Sequence, residues 1–387
     1  MKKPLIIFII VLVVILILPA AGFFGWFFKE KKPMNIVILD KTVHSMDRVK
    51  HRALTWVLAN DRFVKESKRK YYLRKDYYGF YPIKPLRSKQ FRINDFRLVE
   101  LPALSENNDA VYYADTYGVF FNDWYQGINK SRRSRKLFGG LNNNDYLLLV
   151  EMKKKNKLII LEYNTIDYPS TAYDRFKLEG LLGFKTTGWT GQYYTSLDPA
   201  NANLPPWVVD LYKKKTREEW SFTEAGVVLL KGENEILVLE EGTHLENALP
   251  FIVSNEETVE KYGVAPRVAF DKKFNIIEAR DNRVISNFEL NTTDEGEMLL
   301  DKHFLTNEFP AVIANQGDLR TAYFSGDFAT SNIPPWTASF GSLNIFKRFL
   351  YNEADPNDTR RFFWLYYRPI LTGILNDYYL EKELELE

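Results

Sequence analysis

Short apolar runs that end in a carboxylate recur along the chain. Residues 36–39 form such a run before Asp40, and the stretch DAVYYAD ends at Asp115. A third run, KLIILEYN, reaches Glu162. Apolar runs of this length predict buried strands, and each of these strands would present an acidic side chain at its carboxyl end.

The segment between the second and third runs, NNNDYLLLVEMKKKNK, has the pattern of a helix. Asn143 or Asn144 is the expected N-cap, and the lysines at 153–155 would offset the negative end of the helix dipole. A strand, a helix and a strand in this order predict a right-handed parallel crossover. We therefore predict an α/β fold with a mostly parallel, flavodoxin-like sheet and helices on both faces.

The pattern changes to hairpins over residues 226–290. GVVLLKGENEILVLEEG predicts a turn at residues 231–234, and RVAFDKKFNIIEA predicts another at 271–275. We interpret this part as a β-rich insertion, after which PAVIANQGDLRTAYFSGDF returns to the sheet and ends near Asp327. The predicted divisions are an N-terminal anchor and linker at 1–34, an α/β domain at 35–225, the insertion at 226–305, and the returning strands with a C-terminal helix at 306–387.

The N-terminal residues 4–28 contain no charged residue. Their length suits a helix that crosses a bilayer, with Trp26 and Lys29 at the interface. A cleaved signal peptide is the alternative, because PAAG offers small residues for cleavage. The apolar FFGWFF beyond that point favours an uncleaved transmembrane helix. Lysines at the head favour a cytoplasmic N-terminus, so we predict a single-pass cell-membrane protein with an extracytoplasmic body.

Composition adds few constraints on partners. The net charge is +2, and the absence of cysteine suits a bacterial envelope protein but equally a cytosolic one. The basic tracts RFVKESKRKYYLRK and NKSRRSRK suit contact with anionic lipid or an anionic envelope polymer, or else a solvated surface. We find no nucleic-acid module and no cofactor motif, and the four histidines have no metal-ligand spacing, so no cofactor or metal is predicted.

The acidic strand ends are the first candidates for a site. Ligands of open α/β sheets bind outside the carboxyl ends of the strands, where Asp40, Asp115, Glu162 and Asp327 are expected. Carboxylates gathered there suit acid–base chemistry, a hard metal ion or hydrogen bonds to sugar hydroxyls. The alternative is that each carboxylate only caps a helix or faces water.

A second candidate is a motif that occurs twice. Tyr-x-Ser-x-Asp-x-Ala-x-x-Asn-(Leu/Ile)-Pro-Pro-Trp contains Asp198 and Trp207 in the first copy and Asp327 and Trp336 in the second. The two tryptophans would either clamp a sugar, with the aspartates bonding its hydroxyls, or anchor their loops against the body. We predict that both lie at the carboxyl-end edge near Asp40 and Glu162, with at least one indole partly exposed.

The stretches KLIILEYNTIDYPSTAYDRFKLEGLLGFKTTGWTG and FPAVIANQGDLRTAYFSGDFA resemble the class I glutamine amidotransferase-like superfamily, in particular its non-amidotransferase branches attached to carbohydrate enzymes. The resemblance spans about residues 35–350. Active members carry a cysteine at a strand-to-helix elbow and a His-Glu pair. This chain has no cysteine and reads Glu162-Tyr163-Asn164 there, so no catalytic residue is transferred and glutaminase activity by that mechanism is excluded.

These features together predict a membrane-anchored envelope protein. Its amidotransferase-like domain would be catalytically inactive and would bind glycan or a partner in envelope polysaccharide metabolism. The aromatic share of 15% favours carbohydrate as the ligand. The alternative function is a glycan hydrolase that uses two of the edge carboxylates.

Overall fold

The structure is a computed structural model that describes residues 17, 19–84, 89–125, 134–315, 320–341, 343, 348, 350–352, 355 and 358–386. The strands among these residues are β1 Lys32–Pro33, β2 Ile36–Asp40, β3 Phe63–Val64, β4 Tyr78–Lys84, β5 Gln90–Asn94, β6 Ala110–Asp115, β7 Val119–Phe120, β8 Lys136–Phe138, β9 Leu158–Glu162, β10 Lys185–Tyr194, β11 Gly226–Lys231, β12 Glu235–Glu240, β13 Leu245–Ser254, β14 Arg267–Ala269, β15 Phe274–Glu278, β16 Arg283–Thr292, β17 Glu308–Ala314 and β18 Thr321–Phe324.

A ten-stranded sheet dominates the fold, in the order β14-β13-β16-β17-β18-β9-β6-β2-β4-β5. The strands from β18 to β4 are parallel neighbours, whereas β14 to β18 and the β4–β5 pair are antiparallel. The α/β class is therefore present, but the predicted mostly parallel, flavodoxin-like sheet is wrong. The reason is that strands β13, β14 and β16 extend the main sheet by antiparallel pairing.

A second, four-stranded antiparallel sheet has the order β12-β11-β10-β15. It meets the large sheet where Phe274 of β15 bridges to Gly326, just after β18. Residues 226–305 thus contribute β11, β12 and β15 to the small sheet and β13, β14 and β16 to the large one. The predicted domain boundaries remain a prediction.

Helices cover both faces of the parallel strands. Alternate residues of β2, β6 and β9 enter two separate apolar cores, as the two-residue period of a strand requires. The helices are α1 Val49–Asn60, α2 Leu101–Asn107, α3 Phe121–Tyr125, α4 Asn143–Lys154, α5 Ala172–Leu182, α6 Pro206–Thr216, α7 Glu256–Tyr262, α8 Asp294–Asp301, α9 Thr359–Phe362 and α10 Arg368–Leu386, with a π-helical turn at Phe363–Tyr367 and 3-10 turns at Leu98–Glu100, Tyr163–Thr165 and Pro335–Ser339.

The two cores receive different helices. One core contains α1 and the C-terminal segment, with Trp56, Tyr367 and Ile370 almost fully buried. The other contains α4 and α5, whose Leu148 and Leu178 are fully buried. Burial of whole aliphatic and aromatic side chains contributes ~1.5–3 kcal/mol each, so these layers fix the carboxyl-end edge on which the candidate site lies.

The N-terminal prediction needs correction. Within the described part of the chain, no helix is both long enough and apolar enough to cross a membrane. Residues 4–16 and residue 18 of the predicted span lie outside the described residues, and residues 19–27 are helical. The predicted transmembrane helix and the single-pass membrane localisation are therefore not supported. Residues 129–133, which begin the basic tract NKSRRSRK, also lie outside the described residues.

Candidate functional site

The four acidic strand ends lie along one edge of the large sheet. Asp40, Asp115 and Glu162 are the last residues of β2, β6 and β9, and Asp327 follows β18 by three positions. These strands are parallel neighbours, so their carboxyl ends meet. Asp40 pairs in register with Asp115 across β2 and β6. We call this row the carboxyl-end edge.

Lys50 joins two of these carboxylates. Its Nζ lies 3.1 Å from Oδ2 of Asp115 and 3.0 Å from Oδ2 of Asp327. It reaches them because α1 begins just after the loop that follows β2. Burial alone would lower the pKa of Lys50, but Asp327 and then Asp115 raise it above its usual value. The side chains of Lys50 and Asp327 remain 15% and 16% exposed, so solvent reaches this pair.

Asp115 is more fully engaged than Asp327. The Thr42 hydroxyl donates to its Oδ1 at 2.5 Å, the Asn164 amide donates to its Oδ2 at 2.8 Å, and the Tyr117 backbone N–H donates to Oδ1 at 2.7 Å. Only 1% of Asp115 is exposed. Asp115 therefore holds the loops of the edge together.

Asp327 keeps a lowered pKa. Burial raises it, but Lys50 and then Lys272 outweigh that effect. The Thr330 hydroxyl adds a hydrogen bond of 2.5 Å to its Oδ1. Burial lowers the pKa of Lys272 itself, although Asp327 lies close to it. The edge therefore presents an ionised carboxylate between two lysines.

Asp40 is closed off by His51. The Nδ1 of His51 lies 2.6 Å from Oδ2 of Asp40, and its Nε2 lies 2.9 Å from the Leu73 carbonyl oxygen. Asp40 and His51 are 0% and 1% exposed. This pair stabilises the start of α1 and is not open to a ligand.

Glu162 is also buried, at the end of β9. The Tyr112 and Tyr367 hydroxyls donate to its Oε1 at 3.0 and 2.5 Å. Its Oε2 is buried and has no hydrogen-bond partner within the described structure. Burial raises the pKa of Glu162 to about 8, despite the hydrogen bonds from the two tyrosines. Glu162 is therefore protonated at neutral pH and lies below the edge.

Three aromatic rings lie beside the edge, and we call Tyr117, Phe120 and Tyr168 the aromatic group. Tyr168 stacks on Phe120 with ring centroids 6.0 Å apart, and Tyr117 lies 5.0 Å from Phe120. Tyr117 is connected to the edge through its hydrogen bond to Asp115. Tyr168 is 42% exposed. An exposed ring thus belongs to a group that is linked to Asp115, and through Asp115 to Lys50.

The two copies of the repeated motif have different surroundings. Asp198 is exposed on the loop after β10 and accepts a hydrogen bond from the Ala200 N–H. Trp207, 37% exposed, lies in α6, which packs on β12 at the border of the small sheet. Trp336, 69% exposed, lies in the 3-10 turn that packs on the C-terminal half of α1. The described contacts do not join either indole to Asp40 or Glu162.

Sequence patterns did not identify two residues that are important for the site, Lys50 and Tyr367. Lys50 could have been found, because it follows a strand-end loop and therefore lies near the carboxyl-end edge. Tyr367 could not, since it is separated from Glu162 by 205 positions and belongs to the C-terminal segment. The described residues contain no group of three or more histidine, aspartate or glutamate side chains arranged to hold a metal ion.

Comparison with known proteins yields only weak similarity, to solved structures. No family model and no curated protein matches the chain. A solved ThuA-like protein from Bacteroides uniformis is similar with a TM-score of 0.40 and 10% identity, over 90% of this chain and 93% of that one. A similarity at this TM-score supports no conclusion about family, residues or activity.

Proposed function

We propose that the carboxyl-end edge binds a polyhydroxylated ligand, a glycan, without catalysis. The observation that carries the proposal is the partly exposed Lys50–Asp327 pair, to which the aromatic group with its exposed Tyr168 is linked through Tyr117 and Asp115. A sugar hydroxyl both donates and accepts hydrogen bonds, so it matches a carboxylate next to an ammonium group. The apolar face of a sugar matches an exposed aromatic ring.

The remaining carboxylates favour binding over catalysis. A general acid or base must come within hydrogen-bond reach of the proton that it transfers. Asp40, Asp115 and Glu162 are each at most 1% exposed and already bonded within the protein. Their role in the proposal is to hold Lys50, Asp327 and the aromatic group in place.

The test is glycan binding by the full-length chain. A glycan array that includes envelope polysaccharides identifies a ligand, and calorimetry then compares Tyr168→Ala and Asp327→Asn with the unaltered protein. We expect each variant to bind at least ~10-fold more weakly, because stacking and charge-assisted hydrogen bonds each contribute on the order of 1–3 kcal/mol.

Trp207→Ala is the matched control, since it removes a similarly exposed aromatic ring from α6, which packs on the small sheet. Its affinity should be unchanged. An array without a binding glycan, or equal weakening in Tyr168→Ala and Trp207→Ala, would contradict the proposal. Circular dichroism of each variant verifies that the fold is intact.

A carboxylate-dependent glycan hydrolase is the second candidate, and one observation favours it. The pKa of Glu162 is raised to about 8 by burial, while the lysines keep the pKa of Asp327 below its usual value. Two carboxyl groups with separated pKa values are the pattern of an acid and its ionised partner. Reducing-sugar release that disappears in Glu162→Gln would support this function, and no release from any glycan of the panel would exclude it.

A further inference from the structure

A short helix, residues 19–27, precedes β1 and has two different sides. Successive residues of a helix are turned by ~100°, so Gly22, Gly25 and Trp26 share one side. The Phe28 N–H still donates to the Phe24 carbonyl oxygen at 3.0 Å, which continues the helical pattern by one residue. The opposite side then carries four phenylalanines, which are Phe23, Phe24, Phe27 and Phe28. We call these four rings the phenylalanine face.

The glycine side of the helix packs on the body of the protein. The Gly341 N–H donates to the Gly22 carbonyl oxygen at 2.8 Å. The Trp26 indole N–H donates at 2.9 Å to the carbonyl oxygen of Ala59, near the end of α1. A side chain added at Gly341 would lie only 3.1 Å from the Trp26 backbone nitrogen, so the two backbones approach closely. These contacts fix the orientation of the helix and turn the phenylalanine face away from the body.

The phenylalanine face has little cover from the rest of the described chain. Its four side chains are between 39% and 78% exposed. The rings contact one another, with centroids 6.1 Å apart for Phe23 and Phe27 and 6.4 Å apart for Phe24 and Phe28. Exposure of apolar surface to water is unfavourable, and a contiguous exposed patch marks an interaction surface.

Cationic side chains border the phenylalanine face. The Arg62 guanidinium lies 4.8 Å from the ring centroid of Trp26 and 5.9 Å from that of Phe27. Lys31 is exposed just beyond the helix. Glu30 precedes it and offsets one positive charge. The apolar rings therefore supply most of the attraction of this surface for a partner, and the cations define its border.

The sequence before the helix favours lipid as that partner. Residues 4–16 contain no charged residue and are mostly isoleucine, leucine and valine. A water-soluble protein or a second copy of this chain would have to cover this apolar segment as well as the phenylalanine face. A lipid layer accommodates both, because apolar and aromatic side chains are stable below the headgroups.

We propose that the phenylalanine face docks on the surface of a lipid bilayer. The four rings enter the boundary between headgroups and acyl chains, and Arg62 and Lys31 lie at the level of the headgroups. Aromatic rings and the long stems of cationic side chains are favoured at this depth. Docking of this kind needs no helix that spans the bilayer, and it does not depend on glycan binding at the carboxyl-end edge.

Site-specific fluorescence of the full-length chain tests the proposal. The chain contains no cysteine, so Phe28→Cys can be labelled at this single site with a polarity-sensitive NBD dye. Vesicles of phosphatidylcholine and phosphatidylglycerol in equal amounts are then added. We expect the NBD emission to shift to the blue and to rise at least ~2-fold, because the labelled position leaves water for the lipid boundary.

Phe176→Cys is the matched control, because Phe176 is 71% exposed on α5. Helix α5 belongs to the core on the other side of the large sheet from α1. The dye at this position should not respond to vesicles.

Vesicle flotation gives a second measurement without a dye. The double variant Phe24→Ser and Phe28→Ser should float with vesicles at least ~10-fold less than the unaltered protein, since two rings no longer enter the lipid. The double variant Tyr173→Ser and Phe176→Ser removes two exposed rings from α5 and should float like the unaltered protein. Circular dichroism verifies the fold of each variant.

Four results would overturn the inference. The dye at position 28 could fail to respond to vesicles, or the dye at position 176 could respond equally. The variant Phe24→Ser and Phe28→Ser could float as well as the unaltered protein, which would place the lipid contact elsewhere in the chain. A response of the dye at position 28 to rising protein concentration without lipid, and not to vesicles, would assign the phenylalanine face to a second copy.

Discussion

Glu162 shows how one buried carboxyl group ties two distant parts of the chain together. It ends β9 in the parallel half of the sheet, and it receives a hydroxyl from Tyr112 of β6 and another from Tyr367 of the π-helical turn. Those two hydroxyls also lie 2.9 Å from each other. A neutral carboxyl group fits this surrounding, because an ionised one would have to be stabilised with few partners.

Glu162 should make stability fall as the pH rises. In the unfolded chain a glutamate ionises near pH ~4.3, whereas burial raises the pKa of Glu162 in the folded chain to about 8. The unfolded state therefore loses its proton first, and the free energy of unfolding decreases between these values by up to ~1.4 kcal/mol per pH unit. Below about pH 4.3 the stabilising contribution of Glu162 is fully present. Above about pH 8 this contribution is fully lost.

Urea denaturation at pH 5, 6.5 and 8 checks this prediction with Glu162→Gln, which cannot ionise. The stability advantage of the unaltered protein over the variant should shrink by at least ~1 kcal/mol from pH 5 to pH 8. Glu151→Gln is the control, because the hydrogen bond from Lys154 lowers the pKa of Glu151 and moves its titration below this range. Parallel pH profiles for the unaltered protein and Glu162→Gln would show that Glu162 titrates normally.

At the scale of elements, the repeated motif encodes a helix start. In both copies a strand is followed by a turn, then by a Pro-Pro pair whose second proline opens a helix or a 3-10 turn. The Val208 N–H donates to the Pro205 carbonyl and the Thr337 N–H donates to the Pro334 carbonyl. Proline suits the first helical position, because its missing N–H would have no partner there. The motif therefore specifies local structure.

Within the Asn-(Leu/Ile)-Pro-Pro-Trp part of the motif, the buried residue is the aliphatic one before the prolines. Leu204 is 2% exposed, whereas Trp336 is 69% exposed. We expect Leu204→Ala to lower the free energy of unfolding by ~2–4 kcal/mol, since it leaves a cavity, and Trp336→Ala to lower it by less than ~1 kcal/mol. Chemical denaturation measures both changes. Equal losses would mean that the indole is as much an anchor as the leucine.

Local patterns predicted the type of several elements but not their exact ends. The sequence indicated a helix capped by Asn143 or Asn144, and the structure places the cap at Asn142 in a capping box with Asp145. Asp145 is also the partner of the buried Lys41, at 2.6 Å. Of the three asparagines only Asn142 has an acidic residue three positions later, so the capping box selects it, and the contact of Asp145 with Lys41 supports the same choice.

The C-terminal helix shows a similar limit. Pro369 indicated a kink, because proline removes a helical hydrogen bond. The irregular part is instead the π-helical turn Phe363–Tyr367 before it. That turn places Tyr367 against Glu162 and Tyr366 against Ser286. A contact with partners so far away in sequence leaves no local pattern to detect.

At the scale of the whole molecule, a cluster of phenylalanine rings joins the two sheets. Phe288 of β16 is fully buried, with ring centroids 5.2 Å from Phe270, 5.0 Å from Phe274 and 5.4 Å from Phe309. Phe274 belongs to the small sheet, and Phe288 and Phe309 belong to the large one. The carboxyl-end edge adjoins this junction, because Asp327 follows Gly326, which bridges to Phe274 of the small sheet.

Phe288→Ala should therefore destabilise the whole protein by ~3–5 kcal/mol, the usual cost of deleting a buried phenylalanine side chain. The free energy of unfolding from urea denaturation measures it. Phe176→Ala, which removes a ring that is 71% exposed on α5, should change stability by no more than ~0.5 kcal/mol. An unchanged urea midpoint for Phe288→Ala would contradict this prediction. It would show that the two sheets are stable independently of the phenylalanine cluster.

The sequence could be used to predict the α/β class and the acidic ends of β2, β6 and β9, because each depends on a short local pattern. It did not reveal that β13, β14 and β16 extend the large sheet. Hairpin patterns specify which strands pair with their neighbours, but not which sheet the outer strand joins. The position of Lys50 after a strand-end loop indicates that it lies near the carboxyl-end edge, but its pairing with Asp327, 277 positions away, leaves no local pattern in the sequence.

The position of β18 between β9 and β17 has a consequence for synthesis on the ribosome. Chains emerge with the N-terminus first and fold as their segments become available. Strands β2, β6 and β9 emerge early, but the free side of β9 waits for residues 321–324, and Glu162 waits for Tyr367. During this interval a hydrophobic strand presents unpaired backbone groups, which readily pair with another chain. Nascent chains halted before residue 321 should therefore need chaperones to remain unaggregated.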